Sequence, residues 1–222
     1  MDKNDPADWL AIKPKSIITV SDTQAIQDSM RRGIGVRGID YTVRSIARMN
    51  QLDNLSTHLF FTLDDPEQAV YLMAKIVDEM VDLYLYFDVP GLEGGTRQQL
   101  LDRGMLWLFQ EPRDSNNYQP EDLRYSTSIR QTVQQDAGKE SDVIYGQKAQ
   151  GELQCDYLET PSPSGLSNKE MLATVVEYRT DQAVKNPEFL ILETGEKRGV
   201  RSYVQFYLGC GIKPSEVDVL SV

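Results

Sequence analysis

The sequence predicts a mainly α protein, an irregular multi-helix domain of about six to eight helices with a small β element. Two observations predict it. Capping boxes recur along the chain, at Ser21-Asp22-Thr23-Gln24, Asp65-Pro66-Glu67-Gln68, Thr96–Gln99 and Ser167–Glu170. Each offers a side-chain acceptor for a free backbone N–H and a residue three positions on that reaches back. Apolar residues then follow at three- and four-residue spacing, the period of one helical face.

The strongest such stretch runs from Asp65 to Phe87. Pro66 suits the first helical position. Ala69, Val70, Met73, Ile76, Val77, Met80, Val81 and Tyr84 share a face, with Gln68, Lys75, Asp78, Glu79 and Asp82 opposite. Met73 and Ile76 are expected in the core, and Lys75 and Glu79 at a tolerant surface. Earlier in the chain, residues 1–15 read as an N-terminal arm anchored by Trp9, and Ile17–Val20 as a short strand or a hydrophobic staple. A helix is expected from Ser21 to Gly33, and another over Asp40–Leu52 with Ile39, Val43, Ile46 and Ala47 inward. Leu55–Leu63 fits strand and helix equally.

Asp88–Gly95 is a loop by its Pro and Gly content. Thr96 opens a helix carrying Leu100, Leu101, Met105, Leu106, Leu108 and Phe109, and Pro120 opens a weaker one. The region near 138–166 reads as flexible, with room for a hairpin around Val143–Tyr157. A helix follows from Ser167, then Asn186-Pro187-Glu188 either caps a short helix or leads into an apolar strand, Phe189–Leu192, and a last helix runs from about Gly195 to Leu208, stopped by Gly209 and Gly211. The globular part is therefore 16–212, and 213–222 is a C-terminal tail. In that tail Val217 and Val219 alternate with acids, the period of a half-buried strand that could add to a sheet edge.

The chain carries a net charge of −11, with three Lys+Arg against eleven Asp+Glu between residues 51 and 111. An acidic middle disfavours adhesion to nucleic acid or anionic lipid through that surface. No apolar run approaches the length of a membrane span, and the Met-Asp-Lys-Asn-Asp start has no signal-peptide core. Two cysteines, Cys155 and Cys210, make no disulfide framework, so the expected setting is the cytoplasm or another reducing compartment, with a virion as a further setting. A single histidine, His58, removes histidine-rich metal sites. No cofactor or metal is expected.

Gly33-Ile34-Gly35-Val36-Arg37-Gly38 matches the spacing of a dinucleotide loop, but an expected helix precedes it where a strand is needed, so it reads as a hinge. Arg31, Arg32, Arg37, Arg44 and Arg48 cluster within eighteen residues. Arginine forks suit phosphate, which makes a nucleic-acid-coating protein one reading. Pairing with the acidic middle is the simpler one. Asp78, Glu79 and Asp82 form an acidic helix face that an enzyme with a carboxylate site in a helical cleft would use. No Gly-x-Ser-x-Gly, Walker A or His-Glu-x-x-His motif is present.

The function expected on this basis is non-catalytic: a scaffold, adaptor or assembly subunit acting through protein contacts, homo-oligomeric and outside the membrane. A structural subunit of a virus or phage particle fits this profile. The residues expected to make contacts are Trp9, Leu83, Tyr86, Phe206, Val217 and Val219, apolar groups in excess of what one face per helix needs.

Overall fold

The computed structural model describes residues 2–21, 40–51, 56–65, 69–89, 91–110, 119–135, 139–159, 171–180, 187–196 and 202–220. It corrects the helical expectation: the chain is mostly β. Eleven strands run in the order β11-β1-β2-β3-β4-β5-β10-β9-β8-β7-β6, every pairing antiparallel. They are β1 (Ile17–Val20), β2 (Asp40–Gln51), β3 (Ser56–Asp64), β4 (Val70–Val77), β5 (Met80–Asp88), β6 (Ser128–Gln135), β7 (Lys139–Glu159), β8 (Met171–Arg179), β9 (Pro187–Glu196), β10 (Tyr203–Ile212) and β11 (Val217–Leu220). β2 also pairs with β7, from Ser45↔Glu159 to Gln51↔Leu153. That pairing closes β2-β3-β4-β5-β10-β9-β8-β7 into an eight-stranded barrel.

A bulge makes the closure possible. The β2–β3 register shifts between Val43 and Ser45. Before the bulge β2 pairs with β1, and after it with β7. A bulge bends its strand and increases the local twist, so one strand can belong to a small β11–β1 flap at one end and to the barrel at the other.

Ring contacts identify the lumen. Phe60 on β3 and Tyr207 on β10 are separated by two strands, yet their centroids are 5.1 Å apart. Three inter-strand steps along a flat sheet span about 14 Å, so the two rings meet across a closed interior. Phe60, Tyr71, Tyr86 and Tyr207 interlock there, with Tyr71–Tyr207 at 4.8 Å and Phe60–Tyr71 at 5.3 Å. Met49, Met73, Leu153, Val175, Leu190 and Leu192 fill much of the remainder. An eight-stranded barrel is just wide enough to be filled by its own side chains.

The outer wall is buried too. Leu59, Phe61, Leu72, Ala74, Leu83, Leu85 and Phe87 pack in one cluster with Ile18, Val20 and Val217 of the flap. Trp9, on helix α1 (Pro6–Leu10), lies 6.3 Å from Phe61. Helix α2 (Arg97–Asp102) and the 3-10 turn Met105–Leu108 cover the β8–β10 side. The capping box between Thr96 and Gln99 forms as the sequence leads one to expect.

Burial on both faces explains the main correction. Val70-Tyr71-Leu72-Met73-Ala74 is buried throughout, alternately in the lumen and under the outer shell. A run that is apolar at every position satisfies a helical face as readily as a strand. The expected helix at Asp65–Phe87 is thus a hairpin of β4 and β5. Its two-residue turn, Asp78-Glu79, has φ of 47° and 67°, the left-handed pair that a type I′ turn needs, built without glycine. Met73 is core as expected, but Lys75 lies in the lumen rather than at a tolerant surface. Asp40–Leu52 is β2 through Gln51, the expected helices after Ser167 and Gly195 are β8 and β10, and the hairpin sought around Val143–Tyr157 is one continuous strand. The short strand at Ile17–Val20 and the strand at Phe189–Leu192 are present. The capping box at Ser21–Gln24 and the Gly33–Gly38 motif lie outside the described residues, apart from Ser21.

Candidate functional site

The residues expected to act together are not gathered in one place. Arg44 and Arg48 stand on a strand, not one turn apart on a helix. Arg44 is exposed at the bulge, and Arg48 donates from Nη2 to the carbonyl of Leu10 at 3.1 Å, tying β2 to the end of α1. Arg31, Arg32 and Arg37 lie outside the described residues. The acidic helix face does not exist: Asp78 and Glu79 are the turn, and Asp82 is exposed on β5. A carboxylate site in a helical cleft therefore loses its premise. Among the described residues no group of histidine, cysteine, aspartate and glutamate is placed to hold a metal ion. Neither Cys155, which is buried, nor Cys210 is in a disulfide.

The expected contact residues are mostly core. Trp9, Leu83, Tyr86, Phe206 and Val217 are all buried, each in one of the two apolar clusters. Val219 is partly buried. The tail does form a strand, but it pairs within its own chain, Val217↔Val20 through Leu220↔Ile17.

Three clusters that the sequence did not reveal become visible in the fold. The first bridges the lumen. Lys75 on β4 and Glu177 on β8 are four strands apart in either direction around the barrel, on opposite walls, and Lys75 Nζ donates to Glu177 Oε1 at 2.6 Å. His58, paired with Lys75 across β3 and β4, is 5% exposed. Its Nδ1 has no hydrogen-bond partner among the described residues. Burial, and then the Lys75 charge, lower the His58 pKa to about 4, against a weaker opposite pull from Glu177. The imidazole is held neutral. Two residues beyond Glu177 on β8, Arg179 Nη2 donates to the Tyr84 hydroxyl of β5 at 3.2 Å. These groups plug one end of the barrel with polar side chains that reach across its width.

The second cluster staples α2 to the outer wall. Arg97 meets Glu193 of β9 through Nε and Nη2, both at 2.7 Å, and Tyr125 donates to Glu193 Oε2 at 2.7 Å. Arg97 Nη1 reaches the carbonyls of Pro120, Glu121 and Leu123, and the guanidinium lies over the Phe109 and Tyr125 rings. Burial would raise the Glu193 carboxyl, but the Arg97 bonds outweigh it and hold the group below its ordinary range. A fully engaged arginine of this kind is structural.

The third feature is an arm. β7 has 21 residues. It pairs with β8 only from Gly146 to Cys155 and with β2 only from Leu153 to Glu159. From Lys139 to Tyr145 its one strand neighbour is β6. Tyr145 and Val143 still pack on the outer core, so the two-stranded ribbon runs past it over the four residues from Lys139 to Asp142, roughly 13 Å at about 3.3 Å each. Its base is fixed: Ile129 and Tyr145 are a buried cross-strand pair, and the Tyr145 ring lies 5.9 Å from Phe189. Beside them Ile144 is 55% exposed. The sequence carried one signal for this arm, the polar run Arg130–Gln135, which reads equally well as a weak helix.

Among the described residues no helix is long and apolar enough to cross a membrane. Comparison with protein-family models, with curated proteins and with solved structures gives no match.

Proposed function

We propose that this chain is a non-catalytic assembly subunit that works through protein contacts, and that the β6–β7 arm is the element that makes them. The observation that supports the reading is the two-stranded ribbon beyond Gly146. An isolated hairpin is marginal in water, because each strand leaves a row of N–H and C=O groups with no strand partner. A third strand from a neighbour supplies those bonds. Among the described residues the strand order has one other end. β11 ends the sheet on the other side, but it has four residues, and its Asp218 is bound by Lys3 at 2.6 Å. Short, charged edges resist pairing, whereas β6 has eight residues with one charge among them, Arg130. The filled lumen supports the same reading, since the barrel interior is occupied by its own rings.

The test is to shorten the arm. Gln131 and Val143 are direct partners, so replacing residues 132–142 by Asn-Gly closes the ribbon with a two-residue turn. Native mass spectrometry and light scattering across the micromolar range are expected to show an oligomer for the full chain and a monomer for the shortened one. The thermal midpoint of the shortened monomer should stay close to that of the full chain at its lowest concentration. A full chain that stays monomeric, or a shortened chain that still assembles, refutes the reading.

A further inference from the structure

A second site lies at the mouth of the barrel, opposite the polar plug. β5 and β10 pair as far as Tyr207↔Asp88. Beyond that point β5 has ended. The chain leaves the sheet at Val89 and returns at Gly95, which bridges to Val204. Only three residues of β10 are passed while seven steps of chain are used, so the segment bows outward and opens a cleft of about 590 Å³.

The wall of this cleft is fixed rather than loose. Arg103, just after α2, donates from Nη1 to the carbonyls of Glu93 at 3.0 Å and Gly94 at 3.3 Å. Gly94 sits so close to β10 that a Cβ there would lie 2.5 Å from the Val204 carbonyl oxygen and 3.0 Å from the Tyr203 ring. Gln99 is held by the Thr96 capping box through its Oε1, which leaves its amide nitrogen for other partners. Tyr203 is 47% exposed.

The lining carries six polar side chains, Asp88, Glu93, Gln99, Arg103, Tyr203 and Gln205. Asp88 and Glu93 only accept hydrogen bonds, Arg103 and the amide nitrogen left to Gln99 only donate, and Tyr203 and Gln205 do both. A cation needs acceptors and an anion needs donors. A mixed set, beside an accessible aromatic ring, matches a ligand whose every polar group both donates and accepts and whose remaining surface is C–H. We infer that this cleft binds a polyhydroxylated ligand, a saccharide whose C–H face stacks on Tyr203 while Asp88 and Gln205 take its hydroxyls. The volume falls within the range of small-ligand sites, about 300–1,000 Å³. This inference uses no residue of the β6–β7 arm, so it stands or falls separately from the assembly reading.

The test is saturation-transfer-difference NMR on the full chain with methyl α-D-glucopyranoside, methyl β-D-galactopyranoside and N-acetylglucosamine, and with putrescine and inorganic phosphate as the cationic and anionic probes. Transfer to the ring C–H protons of at least one sugar is expected. Tyr203→Ala should weaken it about tenfold or more, and Tyr203→Phe, which keeps the ring, should weaken it less. Asp88→Asn is a second variant at an exposed position and should also reduce it, with circular dichroism confirming the fold of all three. No transfer to any of the three sugars overturns the inference. So does transfer that is unchanged in Tyr203→Ala, or an Asp88-dependent preference for putrescine or phosphate.

Discussion

Lowering the pH from about 7 to about 5 should destabilise this protein through His58 specifically. In the unfolded chain the imidazole titrates near 6.5, whereas in the lumen it is held down at about 4. Between those values the unfolded state binds a proton that the native state refuses, so stability falls as the pH falls. It is unaffected by His58 above about pH 7, and the loss is complete once the pH drops below the folded value. At about pH 5 the two proton-binding polynomials differ by a factor of roughly 30, which is about 2 kcal/mol, and the full loss is roughly 3 kcal/mol. Other carboxylates titrate in the same window, so the His58 component must be isolated. The assay is urea unfolding at several pH values for the parent and for His58→Gln, which has no titration there. The parent should lose about 2 kcal/mol more than the variant between the two pH values. Because the chain has one histidine, its imidazole NMR signal gives an independent titration. A native-state midpoint near 6.5, or parallel pH curves for parent and variant, would refute the claim that the lumen excludes the charged ring.

Three further outcomes follow from the same geometry. Glu177→Gln leaves the Lys75 ammonium without its partner in the lumen and should cost about 3–5 kcal/mol, while the joint change Lys75→Met with Glu177→Leu should be close to neutral, both read from urea midpoints. Gly209→Ala puts a methyl group onto the Leu85 carbonyl and the Tyr86 ring, and should cost about 1–3 kcal/mol, whereas Gly151→Ala, with nothing in reach, should stay within about 0.5 kcal/mol. Asp78→Asn with Glu79→Gly relieves two left-handed non-glycine residues in the β4–β5 turn and should raise stability by about 1 kcal/mol in thermal denaturation.

What the sequence concealed has a physical cause. Strand alternation is legible only when one face of a sheet meets water. At Val217–Leu220 one face does, and the alternation of Val217 and Val219 with acids predicts the strand, whereas the β-branched run Ile17–Val20 reads as strand or staple. In β4 and β5 both faces are covered, and the alternation disappears into an apolar run whose three- and four-residue spacings imitate a helix. The β-branched and aromatic content of that run, with Val70, Tyr71, Ile76, Val77, Val81, Tyr84, Tyr86 and Phe87, was the available counter-signal. The turn between the strands carries Asp-Glu rather than Asn-Gly, so no punctuation marked it. The site residues were hidden for another reason. Lys75 and Glu177 lie 102 positions apart, and Arg97 and Glu193 lie 96 apart. Only closure of the barrel, and the docking of α2 on its outer wall, bring them together. By contrast the Thr96 capping box is wholly local, and it was legible.

The assembly reading leads to a statement about symmetry. A closed barrel has no edges, so the edges among the described residues include β6 and β11 at the two ends of the strand order and the side of β7 that Lys139–Tyr145 leaves unpaired beyond β8. Joining β6 of one copy to β11 of the next would be a head-to-tail contact, which repeats into a ring or a filament. Joining β6 to β6 about a two-fold axis is antiparallel and self-complementary, and it closes after two copies. The lengths decide between them. Eight residues against four would leave half of the β6 edge unpaired, while eight against eight pairs all of it. The expected assembly is therefore a dimer. Native mass spectrometry should show two copies and no higher series. Amide exchange should slow in Ser128–Gln135 as the protein concentration rises, and Val217–Leu220 should be indifferent to it. A ladder of larger species, or concentration-dependent protection of Val217–Leu220, would mean that the flap edge takes part and that the contact runs head to tail.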